Sequence, residues 1–163
     1  SDLTKFRAKG KSSNEAKKIA EKYLGSKIDD SNWNYLIAAI NAESGGDEQE
    51  NAWIAAIILN RTRTSNNITN VLGAKNQFQS ITGKYNSGPS SNYINGPTTS
   101  GEEKIYNSII QYLSISKIDT RYKNFTSNII GAYKGPGTNI SFLYNAQQNK
   151  TKVIHGGTIF FIL

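Results

Sequence analysis

Cysteine is absent from the 163 residues, and His155 is the only histidine. Without thiols there is no disulfide, no thiolate zinc site and no cysteine nucleophile. A catalytic zinc site usually needs two or three imidazoles, so a single histidine argues against a zinc hydrolase. An enzyme with this composition must therefore work with carboxylates, hydroxyls or lysine amines.

Long apolar runs are absent as well. The longest extends only from Ala52 to Leu59, which is far short of the roughly 20 residues that span a bilayer. We therefore expect no membrane insertion. Residues 1–12 are polar and basic and contain no apolar stretch typical of a signal peptide. We expect a flexible N-terminal segment over residues 1–12 and a single domain over residues 13–163.

Acidic residues are outnumbered, with twelve Asp and Glu against nineteen Lys and Arg, for a net charge of +7. This balance favours a polyanionic partner, either nucleic acid or an anionic envelope polymer. A soluble basic surface without a partner is equally compatible. Arg61, Arg63, Arg121 and Lys123 could form a patch, but no nucleic-acid-binding motif accompanies them. We expect no nucleic-acid partner.

Hydrophobic periodicity and capping residues predict the order of the elements. A first helix is expected from a capping box at residues 12–15 to Gly25, and a second from residues 29–31 to Glu43. A third begins at about Asp47 and is apolar on nearly every face. A short helix is expected over residues 66–72, and a further helix begins at a second capping box at residues 100–103. A polar loop covers residues 73–95, and strands are expected at residues 140–144 and 152–163. The pattern is typical of a mainly helical α+β domain with a small C-terminal β element.

Glu43 ends the second predicted helix. It follows Ile40 by three residues and Leu36 by seven, so it projects from the apolar face. Partial burial there would disfavour the ionised form and raise the pKa of the carboxyl, as a general acid requires. Glycosidases use such a group to protonate a leaving oxygen. An ordinary helix-ending glutamate that faces solvent is the alternative that position alone leaves open.

The segment around Glu43 also resembles a known family. Residues 41–61, NAESGGDEQENAWIAAIILNR, place a Glu at a helix end, then a Gly/acidic turn, then an alanine-rich apolar helix closing in Ile-Leu-Asn-Arg. This is similar to the core motif of the SleB-type cell-wall hydrolases, the spore cortex-lytic family. Residues 76–80 resemble the Gln-Phe-Ser signature of that family, and residues 143–145 and 156–160 resemble its C-terminal pattern. Glu-Ser-Gly-Gly is also similar to the catalytic turn of soluble lytic transglycosylases, although their following Gly-Leu-Met-Gln is absent.

The resemblance implies a lysozyme-like fold and cleavage of the β-1,4 bond after N-acetylmuramic acid in peptidoglycan, by a muramidase or a lytic transglycosylase. It carries Glu43 over as the catalytic acid/base and implies neither metal nor other cofactor. It further implies that peptidoglycan glycan strands are the partner, and that the protein acts outside the cytoplasm. We expect a monomer, secreted or virion-associated, working alone or within a larger virion, secretion or injection assembly.

Five further residues are candidates for substrate binding. Gln77 and Ser80 can hydrogen-bond sugar amides and hydroxyls, and Ser44 adjoins the catalytic carboxyl. Phe78 and Tyr144 can form a wall for a sugar ring, with core packing as an equal alternative. The chain departs from the family pattern in having Ala42 for a usual Gly, and Phe142 and Thr158 for frequent His residues.

Three acidic residues after the turn, Asp47, Glu48 and Glu50, are candidates for the second carboxylate of an inverting hydrolase. Acidic residues in a first helical turn also favour the helix dipole, which is the simpler explanation.

His155 is expected to be structural, and Asn60 and Arg61 are expected to tie helix to loop. The rival function is a non-catalytic glycan-binding or phage virion structural domain.

Overall fold

A computed structural model describes residues 3–74, 77–83, 88–128 and 140–163. The elements in these ranges are α1 (Lys11–Leu24), α2 (Asp30–Glu43), α3 (Glu48–Ser65), α4 (Ile68–Leu72), α5 (Gln79–Thr82), α6 (Ser91–Asn95), α7 (Thr99–Tyr112), β1 (Asn124–Ser127), α8 (Ile140–Gln148), β2 (Val153–His155) and β3 (Thr158–Phe161). Of the described residues, 57% are in helices and 8% in strands, which confirms the predicted mainly helical α+β class. Asn76, part of the motif at residues 76–80, lies outside the described residues.

Helices α2 and α3 form the centre of the molecule. Every residue from Trp33 to Ile40 and from Glu50 to Asn60 is buried. The central position predicted for α3 is confirmed. The predicted apolar face of α2 is buried, and burial extends beyond that face because α3, α4, α6 and α7 all pack around the helix. Within the described ranges, no helix has the length and apolar character needed to cross a membrane.

The beginnings of α2 and α3 agree with the sequence. The side chain of Asp29 accepts from Asn32 N at 2.7 Å, and that of Asp47 accepts from Glu50 N at 2.9 Å. Each aspartate thereby satisfies a backbone donor that a helix start leaves without an intrahelical partner. The loop between the helices is consequently short, running only from Ser44 to Asp47.

The two predicted capping boxes are wrong. Helix α1 begins at Lys11 after Gly10, without a side-chain cap. The hydroxyl of Ser13 instead accepts from Trp33 Nε1 at 2.9 Å. Helix α7 begins after Thr98, whose Oγ1 accepts from Gly101 N. A serine hydroxyl can bond to a nearby backbone group or to a side chain elsewhere in the fold, so the local sequence alone does not determine its partner.

The N-terminal segment is packed from Thr4 onward, while Leu3 is exposed. This corrects, for residues 4–12, the flexible segment that was expected over residues 1–12. Thr4 and Phe6 are both buried. Thr4 Oγ1 donates to Tyr93 O at 2.7 Å, and Ala8 N donates to Asn34 Oδ1 at 2.8 Å. These contacts hold the segment against α2 and α6. The polar composition of this segment did not indicate that the ring of Phe6 and the hydroxyl of Thr4 would be buried.

The C-terminal part differs from prediction in two elements. Residues 140–144, expected as a strand, belong to α8. The strand expected over residues 152–163 is the hairpin of β2 and β3, which turns at Gly156 and Gly157. Strand β1, which the sequence analysis missed, pairs with the other edge of β3, so the antiparallel order is β1-β3-β2. Helix α8 packs Phe142, Leu143 and Ala146 against Ile159 and Phe161 of β3. This tertiary packing outweighs the strand propensity of the local sequence.

The small sheet adjoins the first half of α3. The ring of Trp53 packs edge-on against Tyr122 at a centroid distance of 4.9 Å, and against His155 at 5.3 Å and Phe160 at 5.4 Å. Aromatic pairs in these geometries add stability beyond the area they bury. The hairpin is therefore held close to the turn between α2 and α3, where Glu43 lies.

Candidate active site

Glu43 is the last residue of α2, and the turn that follows opens the backbone beside it. Ser44 leaves the helix in an extended conformation. Gly46 adopts φ 101°, a left-handed value that glycine tolerates best. The chain therefore reverses within a few residues into the cap of α3, and the Glu43 side chain emerges partly buried at the edge of the core.

Burial raises the pKa of the Glu43 carboxyl, and the hydrogen bond that Ser80 Oγ donates to Glu43 Oε1 opposes part of this shift. The partial burial and the raised pKa predicted from the apolar face are both confirmed. Across the described residues, no second charged group contributes to the shift. The chemical result is a carboxyl that holds its proton at a higher pH than an exposed glutamate does.

Arg61 supports the segment that presents Ser80. Its Nε donates to Lys123 O at 2.6 Å, and its NH1 donates to Gln77 Oε1 at 3.1 Å. The guanidinium lies over the rings of Phe78, at 5.4 Å, and Phe125, at 5.9 Å. Burial lowers the pKa of Arg61 to about 10, which leaves it charged at neutral pH. The end of α3 is thus tied to the loop before α5, as the sequence analysis expected.

Phe78 is an interior residue, so of the two roles considered for it core packing is the one observed, and its role as a sugar-binding wall is corrected. Its side chain is 6% exposed, and its ring packs 5.9 Å from that of Phe125. Phe78 also adopts φ 44°, a left-handed conformation that is strained for a bulky side chain. Such strain persists only where surrounding contacts enforce it. Here the enforced backbone leads directly into α5 and Ser80.

Asn60, the neighbour of Arg61, is fully buried and makes a second tie at the same end of α3. Its Oδ1 accepts from Tyr23 OH at 2.8 Å, and its Nδ2 donates to Tyr122 O at 2.8 Å. One side chain thereby joins α1, α3 and the loop before β1. The structural role expected for Asn60 is confirmed.

The hydroxyl of Ser44 is engaged within the chain. Its Oγ lies 2.9 Å from Glu50 Oε1 and 2.5 Å from Asn51 Oδ1, and it accepts from Gly46 N at 3.0 Å. The single proton of this hydroxyl is shared between the two acceptors, and a substrate contact through Ser44 would compete with these contacts. These contacts assign Ser44 to the shape of the turn, and binding of substrate by Ser44 stays a prediction.

The other two predicted contact residues are exposed. Gln77 lies at the surface and is held by Arg61. Tyr144 is 61% exposed on α8, which suits a surface that stacks a sugar ring. Within the described part of the chain, no contact joins Tyr144 to Glu43. Roles in substrate binding for Gln77 and Tyr144 remain predictions.

The three acidic residues after the turn differ in their surroundings. Asp47 and Glu48 are exposed at the start of α3, as expected of residues that favour the helix dipole. Glu50 is 1% exposed, and its carboxylate oxygens accept hydrogen bonds from Ser44, Gly45 and Gly157. The sequence did carry a signal for this burial, because Glu50 precedes Trp53 and Ile54 by three and four residues on the apolar side of α3.

The remaining titratable candidates are engaged in the fold. His155 is partly buried beside Trp53, and burial lowers its pKa while the charges of Asp47 and Glu50 raise it. Arg63 donates to the carbonyls of Tyr23 and Leu24 at the end of α1. Arg121 pairs with Asp119 at 2.7 Å. The described residues contain no group of three or more His, Asp or Glu side chains that could hold a metal ion.

No family model matches the chain, and no curated protein or solved structure matches it either. The chain's own residues are therefore the basis for inferring a function. These are the partly buried carboxyl of Glu43 at the end of α2, the hydroxyl of Ser80 that is bonded to it, and the hydrogen bonds by which Arg61 and Asn60 tie the end of α3 to neighbouring loops.

The raised pKa of Glu43 predicts a stability effect that needs no substrate. Because the folded state binds this proton more tightly than the unfolded state, its contribution is fully present below the ordinary value of 4.5 and is lost as pH rises through the raised pKa. Glu43→Gln removes the buried charge. We therefore expect the variant to melt about 2–5 °C above the wild type at about pH 8, with the difference vanishing by about pH 4.

Thermal unfolding followed by circular dichroism at several pH values measures this difference. Glu103→Gln, the same change at an exposed position of α7, is the control and should melt like the wild type. A Glu43→Gln variant that melts below the wild type at high pH would contradict the assignment of a penalised buried charge.

Proposed function

We propose that this protein cleaves the glycan strands of peptidoglycan, with Glu43 as the catalytic acid/base of a lysozyme-like domain. The observation that carries the proposal is the partly buried Glu43 carboxyl with a raised pKa, at an open turn and bonded to Ser80. The motif over residues 41–61 supports the choice of peptidoglycan and of the bond after N-acetylmuramic acid. An enzyme that cleaves another sugar polymer would need the same kind of acid, but it would not need this motif.

The chemistry follows from one carboxyl. Protonated Glu43 donates its proton to the glycosidic oxygen as the bond to the anomeric carbon breaks, leaving an oxocarbenium-like centre. The resulting carboxylate then removes a proton from the 6-hydroxyl of the muramic acid, whose oxygen closes an anhydro ring. Alternatively it activates a water molecule, and the product is a reducing end.

Two observations favour ring closure. A retaining pair of carboxyls lies about 5–5.5 Å apart, whereas among the described residues burial and the Ser80 hydrogen bond are the causes of the pKa shift of Glu43, with no contribution from another carboxyl. Glu50, the buried candidate for a second carboxylate, has both oxygens occupied by donors of its own chain. The first observation argues against a retaining muramidase and the second against an inverting one, and we therefore favour a lytic transglycosylase.

The net charge of +7 suits the proposed substrate. Bacterial walls carry anionic polymers, and a basic surface raises the local concentration of the enzyme there. Action outside the cytoplasm as a monomer, by secretion or on a virion, belongs to the same proposal.

Turbidity loss of purified wall suspensions tests the proposal. Walls from several bacterial types are incubated with the wild-type chain and with Glu43→Gln, and optical density and soluble sugar are followed. We expect lysis by the wild type only. Binding to walls without lysis of any of them would support the non-catalytic glycan-binding domain instead.

Ser80→Ala gives a test specific to the Glu43 environment. The Ser80 hydrogen bond lowers the pKa of Glu43, so its removal should raise that pKa. The alkaline limb of the pH–rate profile, which reports the essential acid, should move to higher pH, with a maximal rate about 3–10-fold lower. Ser91→Ala, at an exposed serine of α6, is the matched control. A limb that stays in place or moves to lower pH would exclude this hydrogen bond from the active enzyme.

A further inference from the structure

We propose that Glu50 is a positioning residue for Glu43, because its buried carboxylate ties the turn after Glu43 to the turn between β2 and β3. This inference rests on the proposed function, since it assigns Glu50 a part in the same reaction. Glu50 does not itself touch the reacting atoms in this account. It sets the direction from which Glu43 approaches them.

The contacts of Glu50 join two distant parts of the chain. Oε1 accepts from Ser44 Oγ at 2.9 Å and from Gly45 N. Oε2 accepts from Gly157 N at 3.0 Å, across a separation of 107 residues. The carboxylate therefore bridges the turn that directly follows Glu43 and the hairpin turn of the sheet.

Glycines allow the carboxylate to approach both turns. A Cβ on Gly156 would lie 2.1 Å from Glu50 Oε2, and one on Gly45 would lie 3.3 Å from Oε1. Gly156 also adopts φ 57°, in the left-handed region. The fit between Glu50 and these turns is thus tight enough to fix their relative position.

A buried carboxylate is a costly way to fill this space. Among the described residues no Lys or Arg forms an ion pair with Glu50, so hydrogen bonds from two backbone amides and one hydroxyl replace the lost hydration. An apolar side chain of similar volume would avoid the desolvation cost. What the carboxylate supplies instead is two acceptor oxygens that point to two different turns.

The consequence for catalysis is geometric. Ser44 and Gly45 follow Glu43 immediately, so any movement of their turn rotates the last turn of α2 and the acid with it. A displacement of about 1 Å at a catalytic group can reduce a rate by about 100-fold. Because Glu50 holds that turn against the hairpin, the acid is fixed relative to the sheet as well as to its own helix.

Glu50→Gln tests the inference, because an amide keeps the shape but loses one acceptor. Its NH₂ group meets either Gly157 N–H or the donors of the other turn. On soluble glycan fragments we expect kcat to fall about 10–100-fold with KM within about twofold of the wild type. The alkaline limb should move to lower pH, because a looser turn exposes Glu43. Glu103→Gln is the control for the change of charge.

The outcomes separate this inference from the proposed function. If the wild type is active and Glu43→Gln is not, a Glu50→Gln enzyme with wild-type kcat and pH profile overturns the positioning role alone. If the wild type cleaves no wall, the proposed function fails and the catalytic role of Glu50 fails with it. Amide NMR then still reports on the tie, since Gly45 and Gly157 should shift in Glu50→Gln and stay in place in Glu103→Gln.

A second variant covers the case in which Glu50→Gln does not fold. Ser44→Ala removes one of the three donors to Glu50, together with the contacts of that hydroxyl to Asn51 and Gly46, and leaves both backbone amides bonded to Glu50. A kcat about 3–10-fold lower at unchanged KM supports the inference. Wild-type kcat, or a change confined to KM, overturns it.

Discussion

Glu43→Gln is expected to slow wall lysis by about 10²–10⁴-fold, which is the usual contribution of a general acid or base. Glutamine keeps the shape of the side chain, and its carbonyl oxygen still accepts from Ser80 Oγ. It has no acidic proton for the leaving oxygen and cannot act as a base afterwards. The loss should therefore appear in kcat, while binding to walls is kept.

Three control measurements show whether a loss of lysis comes from misfolding or from lost binding to walls. Circular dichroism should show the helix content of the wild type, a pull-down with insoluble walls should show undiminished binding, and the variant should melt above the wild type at high pH. A lysis rate within about threefold of the wild type would remove Glu43 from the mechanism, whatever the other measurements show.

Gly156→Ala is expected to destabilise the fold by about 2–5 kcal/mol. The left-handed φ of 57° costs an alanine about 1–2 kcal/mol. The added methyl would also lie 2.1 Å from Glu50 Oε2 and 2.9 Å from Glu50 Cδ, and such overpacking costs about 1–3 kcal/mol. We expect a melting temperature about 5–15 °C lower, measured by thermal unfolding.

Gly157→Ala is the matched control in the same turn. A Cβ at Gly157 meets no atom within 4 Å, so this variant should melt within about 2 °C of the wild type. Equal melting temperatures for the two variants would contradict the close approach of Glu50 to the hairpin. That outcome would also weaken the positioning role, independently of any enzyme assay.

Local chemical signals carried the successful parts of the sequence analysis. Asp29 and Asp47 were recognisable as caps because the donors they satisfy lie three residues away in the same chain. Glu43 was recognisable because its spacing from Leu36 and Ile40 places it on the apolar face of one helix. Each of these inferences uses contacts within one turn or one helix.

The errors concern contacts between distant segments. Residues 140–144 have a strand-like composition, and only packing of their helix against Ile159 and Phe161 reveals the true state. The burial of Thr4 and Phe6 depends on contacts with α6 and with Gly96, which directly follows it. The partner of Glu50 lies 107 residues away, and no spacing rule reaches that far.

Two supports hold Glu43 in place. On one side Arg61 and the enforced backbone of Phe78 present Ser80, which bonds to the carboxyl. On the other side Glu50 holds the turn that follows. Both supports originate on α3, which explains how one central helix can organise an acid that lies on its neighbour.

Mass spectrometry of the soluble fragments released from purified peptidoglycan tests the central claim most directly. The account predicts glycan fragments that end in anhydromuramic acid, lighter by one water than fragments with reducing ends, from the wild type and not from Glu43→Gln. Fragments with reducing ends would agree with Glu43 as the acid but would show that hydrolysis by water, and not ring closure, completes the reaction. Fragments cut only in their peptides, or equal release by both proteins, would contradict the assignment of Glu43 as a glycan-cleaving acid.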